Sequence, residues 1–285
     1  MTLGAAQIMA GSTGWWIDRR PGPDLAALVI GRPVEEVAAL LPRLFNLCRM
    51  AQSTAACMAL GLPCEGDPGT EVIRDHLARI YVTLRRAFGM APLRPDVAGV
   101  FGPGGLPRDL AGQTAWLAAD IPAAELARAV AQTFPVGLGL CRSLPAPQGA
   151  QTGAFENSPA GRQAAHPLLQ AVEAEQGRGP LWRYLGMLAD LEAALAGRLP
   201  GPRRLQDGTA VVQAARGAYA LRLDQSAGRV TSLHRVTPTD HQLAPGGALE
   251  QALAGLPAGR ADLALQLVAL HDPCIPVTLA EPCHA

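Results

Sequence analysis

From Pro33 onward, Val34, Val37, Leu40, Leu41, Leu44 and Leu47 recur every three or four residues. That spacing predicts a helix with one buried face. Glu35 and Glu36 fall in its first turn, where carboxylates suit the positive end of the dipole. Pro42 is expected to kink or divide it. The segment carries Cys48, Gln52 and Cys57 on to Leu60, where Gly61-Leu62-Pro63 stops it; Cys48 and Gln52, four apart, are expected to share a face. A second helix is predicted over about 70–88, capped by Thr70 and closed by Gly89, with Arg74, Arg79, Arg85 and Arg86 as a solvated face. Further helices are predicted near 109–119, 122–134, 166–176 and 180–196, the last with Leu181, Leu185, Leu188, Leu191 and Leu195 as its apolar stripe. The period then drops to two. Residues 209–215, 218–224 and 229–235, rich in Val, Leu, Tyr and Thr, read as short strands, the last two joined as a hairpin. Helices near 247–254 and 259–270 return the chain to its end. Residues 1–23 read as an irregular arm that packs Trp15 and Trp16 on the body, and residues 135–165 as a long surface loop.

The pattern therefore predicts an α+β fold, mainly helical, with a small antiparallel sheet around 209–236, built as one domain over residues 1–285. Composition adds the exclusions. Hydrophobic residues make up 49% of 285 positions, enough for a substantial core. Acidic and basic residues number 24 each, so the net charge is zero and offers no electrostatic case for nucleic acid or an anionic membrane. No apolar run approaches the roughly 20 residues a spanning helix needs. With no signal-peptide pattern at the start, the cytoplasm is the expected compartment.

Six cysteines in a chain of this length, none in a C-x-x-C pair, do not suggest a disulfide framework or a zinc ribbon. Cys274 directly follows Asp272-Pro273, so its backbone is held and its thiol aimed; that suits a metal ligand, a nucleophile or a buried structural thiol equally. Cys48, on an apolar helix face, reads by itself as core. Cys57, Cys64 and Cys141 read as small buried hydrophobes, and Cys283 lies close to the terminus. His76 and His166 read as surface residues. His234, His241 and His271 lie near the ends of elements, where a ligand role is open. No nucleophile elbow, P-loop, zincin or dinucleotide motif is present.

Several blocks, in order, resemble the large subunit of nickel–iron hydrogenases. Residues 25–48, ending at Cys48, resemble the helix entering that family's first C-x-x-C motif. Val212-Gln213-Ala214-Ala215-Arg216-Gly217-Ala218 resembles its E-A-P-R-G-A-L segment, Arg235-Val236-Thr237-Pro238-Thr239 its V-V-P-T/S-T segment, and Leu270-His271-Asp272-Pro273-Cys274 its terminal D-P-C-x-x-C. Yet half of the expected thiols are missing. The first motif reads Phe45-Asn46-Leu47-Cys48 and the last Cys274-Ile275-Pro276-Val277. The histidines that follow the motifs are Gln52 and Ala280. This pattern resembles the HupK/HoxV-type hydrogenase accessory proteins, shortened relatives of the large subunit.

The resemblance implies a non-catalytic maturation scaffold. Cys48 and Cys274 would hold an Fe(CN)2(CO) fragment transiently, with nickel not expected. Arg216 and Thr239 would donate to the cyanides, and Ala215 and Pro238 would form apolar walls. The implied partners are the maturation proteins that build and deliver the fragment, and the hydrogenase large-subunit precursor. A degenerate hydrogenase-like redox subunit, with Cys283 or His271 recruited as extra ligands, and a metal-free chaperone that mimics the large subunit are the alternatives.

Overall fold

The computed structural model describes residues 4–11, 14–20, 22–44 and 47–280. It opens on a hairpin, β1 (Ala5–Gly11) and β2 (Gly14–Arg20). Helices α1 (Leu25–Val29), α2 (Val34–Leu44) and α3 (Arg49–Leu60) follow. Next comes α4 (Pro68–Ala78), which widens into a π-helical turn (Arg79–Thr83) and ends as α5 (Leu84–Ala87). Then come α6 (Leu110–Leu117), α7 (Pro122–Thr133), α8 (Pro159–Arg162), α9 (Pro167–Gln176) and the long α10 (Pro180–Leu195). The strands β3 (Arg203–Arg204), β4 (Ala210–Ala214), β5 (Gly217–Ser226) and β6 (Arg229–Val236) form one antiparallel sheet in that order. The chain closes with α11 (Pro238–Gln242), α12 (Ala248–Ala254), α13 (Ala261–His271) and β7 (Val277–Leu279). The mainly helical α+β class and the sheet near 209–236 are as expected.

Two cores share the molecule. The larger gathers Ile80, Leu126, Leu168, Trp182, Leu185, Leu188, Leu249 and Leu267 from α7, α9, α10, α12, α13 and the π turn. Nearly every residue of α10 is buried, so it runs through the middle of this layer and its surroundings cover it on all sides. The smaller core packs α1, α2 and α3 on one face of the sheet, through Val37, Leu41 and Ala55 against Val212, Tyr219 and Leu221.

Several expectations are corrected. The described residues of 1–23 do not form an irregular arm. Ala5 pairs with Arg20 and Gly11 with Gly14, and β7 adds to β1 in parallel, giving a three-stranded sheet. Gly and Pro suggested a loop, but β1 pairs with a strand at the far end of the chain, which no local pattern reveals. Trp15 is buried and donates to Pro257 O, whereas Trp16 is exposed. The second helix is capped by Asp67, whose carboxylate accepts from Gly69 and Thr70. Its arginines are not one solvated face. Arg79 and Arg85 are buried, Arg79 against the end of α13 and Arg85 on Glu125. Leu195 of the α10 stripe is exposed. The stretch 135–165 is not all surface: Leu144 and residues 156–160 are buried, and Ala160 lies so close to Gly186 that a β-carbon there would come within 2.2 Å of it.

Candidate functional site

The site lies on the seam between the two cores, and five separate segments build it. Cys48 is not on a helix face. It is the N-cap of α3, in the left-handed region (φ 56°), and its side chain caps nothing. The first free amides of α3 are served instead by Glu71 of α4, whose Oε2 accepts from Met50 N at 3.1 Å and Ala51 N at 3.4 Å. An anion at a helix start suits both the orphan donors and the dipole, and it leaves the Cys48 thiol unused by the backbone. Gln52 is buried and donates to Leu47 O. Phe45 and Asn46, which complete the first motif, lie outside the described residues, as does Cys283.

Cys274 comes from the other core. Helix α13 ends at Asp272, again left-handed (φ 49°), and Pro273 prevents its continuation. Two bonds to one side chain then fix Cys274: its N–H donates to Thr239 Oγ1 at 2.7 Å, and that hydroxyl donates to Cys274 Sγ at 2.9 Å. Thr239 sits in the first turn of α11, which Thr237 and Asp240 close with a capping box.

Arg216 joins the halves. It stands on the turn between β4 and β5, where Gly217 follows with φ +136°. A β-carbon at Gly217 would meet Asn157 Oδ1 at 2.4 Å, so only glycine lets Asn157 reach the backbone of β5. The Arg216 guanidinium spans the seam. Nη1 points to Cys48 Sγ at 3.7 Å, Nη2 pairs with Asp272 Oδ2 at 2.8 Å, and Nε donates to Asp272 O at 3.1 Å. Asp75 Oδ2 lies 3.4 Å from Nη1. Arg79, in the π turn, reaches the same Asp272 oxygen at 3.3 Å and donates to Leu270 O. A π turn inserts one residue into a helix and re-aims the side chains that follow, a device common at functional sites. Ala215 and Pro238 are both buried beside the two donors in sequence, and Ala215 packs on Val72 and Ala194.

Burial pushes the Cys48 thiol up to about 12; the Arg216 guanidinium opposes this, and Asp75, Glu71 and the Cys274 thiol add to it. At neutral pH Cys48 is therefore a protonated thiol until something positive replaces its proton. Arg216 is held firmly charged: burial works against its charge, and Asp272 and Asp75 overcome it. Among the described residues no group of three or more His, Cys, Asp or Glu side chains gathers as a metal cage. Two thiols alone do not make a closed site for a bare cation.

The two thiols, Arg216 and Thr239, singled out in the sequence, are brought together on this seam. Sequence reasoning missed Asp75, Glu71 and Arg79, which have no spacing signal, and it placed His76 on the surface. His76 is fully buried and bonded to Asp190 Oδ2 at 2.8 Å; Arg162 holds the same carboxylate and also reaches Ala214 O. That network ties α4, α8 and α10 to the strand that leads into Arg216. His241 is buried between Asn157 and Gln151 O. Cys141 is buried as expected, but Cys64 is exposed and Cys57 half-buried, because both stand where α3 ends at the surface.

No protein-family model matches the chain. It is 44% identical over 269 residues to the hydrogenase expression/formation protein HupK of Rhodobacter capsulatus, an alignment covering 92% of this chain and 91% of the relative. In structure it is similar to the Ni-Fe-Se hydrogenase of D. vulgaris Hildenborough (TM-score 0.53, 12% identity, 92% of this chain and 93% of the other). The Ni-Fe-Se hydrogenase of Desulfomicrobium baculatum compares in the same way (TM-score 0.54, 12% identity, 92% and 93%). At such identity the likeness shows the fold, that of the hydrogenase large subunit.

Proposed function

We propose a function from one premise: the chain belongs to the family of the hydrogenase expression/formation protein HupK. Its role is in hydrogenase maturation. In our reading it is a scaffold, not an enzyme, and its cargo is the Fe(CN)2(CO) fragment, held by Cys48 and Cys274 and passed on to the large-subunit precursor. One observation carries this. Two thiols from opposite ends of the chain each face a different hydrogen-bond donor, Arg216 for Cys48 and Thr239 for Cys274. Cyanide on a metal is an anionic acceptor, and buried anions need such donors. When cargo binds, each sulfur would exchange its proton for iron, and Arg216 and Thr239 would be free to turn to the diatomic ligands between the walls of Ala215 and Pro238. Two thiolates hold less firmly than four, which suits a carrier that must release. Nickel has no place in this scheme. The partners are the maturation proteins that build and deliver the fragment, acting in the cytoplasm; no described helix is long and apolar enough to cross a membrane.

The test is an infrared spectrum of protein purified without oxygen from cells that carry the maturation machinery. Cyanide and carbonyl bands are expected, in a window polypeptide leaves empty, and they should vanish in Cys48→Ala and in Cys274→Ala. An empty window with no iron by elemental analysis overturns the scaffold and favours a metal-free chaperone. Hydrogen turnover with a redox dye would favour the degenerate redox subunit.

A further inference from the structure

Behind Arg216, away from the thiols, lies a cavity of about 20 Å³ lined by Arg79, Arg183, Arg216, Ser158, Leu270 and His271 among others, and by neither cysteine. One water needs roughly 10–15 Å³ measured this way, so the space admits a single guest slightly larger than water. His271 is 5% exposed, and neither Nδ1 nor Nε2 has a hydrogen-bond partner. Arg183 is as deeply buried, and its Nε also lacks a partner; its two terminal nitrogens are taken by Glu156, at 3.4 and 3.1 Å. Buried polar groups left unpaired are costly, and native structures keep few of them. Two unpaired groups, one on the wall of the cavity and one on a second side chain that lines it, point to a guest that the chain itself does not supply.

Charge decides what kind of guest. The carboxylates near this cavity, Asp272, Glu156 and Asp75, are all engaged by its arginines. At His271 itself, burial first and then the charges of Arg183 and Arg79 hold the imidazole well below its ordinary range, and no carboxylate opposes them. The ring keeps one N–H to donate, the unpartnered Arg183 Nε is a second donor, and the charges that act on the ring are guanidinium groups, so the cavity favours an acceptor and disfavours a cation.

We propose that this cavity is a binding site for one small monovalent anion of one or two heavy atoms, a halide or pseudohalide, held against the His271 imidazole and the Arg183 guanidinium. The inference stands apart from the cargo reading. Arg216 is the shared wall, so an anion held here would lie one side chain from the Cys48 thiol.

The test uses metal-free protein and chloride. Bound chloride broadens the chloride-35 resonance, and bromide should displace it with a saturable curve. His271→Phe keeps a planar ring, fills the space and removes the donor; it should weaken chloride binding at least tenfold. The Cys48→Ala/Cys274→Ala double variant should bind chloride like the parent chain, whatever becomes of the infrared bands. Crystals soaked in bromide should show an anomalous peak beside His271, a reading that needs no variant to fold. Absence of saturable broadening together with no peak, meaning a cavity filled by water only, overturns the proposal. So does binding that survives His271→Phe, or that is lost with the cysteines.

Discussion

The two cysteines lie on either side of one seam, yet their surroundings differ in kind. Cys48 is a half-buried N-cap that caps nothing, and it faces a guanidinium that two carboxylates, Asp75 and Asp272, hold in place. Cys274 is clasped at both its amide and its sulfur by one neutral hydroxyl. The first environment controls charge. Cys48 stays protonated until a cation arrives, and Arg216 then offsets the thiolate. The second environment controls position. A left-handed turn, a proline and a double hydrogen bond leave Cys274 little freedom. If the site acts as the scaffold proposed above, this division would place one ligand in advance and switch the other by proton loss.

The comparison breaks most completely at Arg216, which serves both halves. Arg216→Met should leave the half-buried Asp75 without its cation and Asp272 with Arg79 alone. Removal of one member of such a network costs about 3–5 kcal/mol, a fall in melting temperature easily read by calorimetry, and Arg216→Lys should recover only part of it because a single ammonium cannot replace the fork. Equal stability of Arg216→Met and the parent would show that the seam does not depend on this charge. Thr239→Val touches the Cys274 half only. It strips the Cys274 N–H of its acceptor, so about 1–3 kcal/mol should be lost, and the thiol should react faster with an alkylating reagent while Cys48 does not change. The mildest change probes Cys48 by pH. Its proton is bound more tightly in the folded chain, up to about 12 against an ordinary value of 9.0, so its contribution to stability is complete below pH 9 and is lost as pH rises from there towards 12. Cys48→Ala should flatten the alkaline limb of the stability curve and leave neutral pH almost untouched. An unchanged limb would mean that Cys48 is not the group that titrates.

Some helix starts were legible from local chemistry, although those of α3 and α4 were not. Pro122 and Pro180 open α7 and α10 at N1. The β5–β6 hairpin was legible from its alternation. The N-terminal sheet was not, because β1 alternates only small and medium residues and its second partner, β7, lies at the opposite end of the chain. Arg79, Arg85 and His76 were misplaced for a related reason. A charged or polar side chain is assigned to solvent by default, and only a partner distant in sequence, such as Glu125 or Asp190, permits its burial.

The sequence by itself determined the class of fold, the identity of the two motif thiols and the loss of their fellows, since each of these is a fact of residue type and order. Tertiary structure alone decided that Cys48 is a cap and not a helix-face residue, that Glu71 takes over the capping, and that Arg216 spans both halves with Asp75 and Asp272 behind it. Those are matters of distance and burial between segments far apart in the chain, and a charge acquires its effect on a thiol only when water has been excluded from between them.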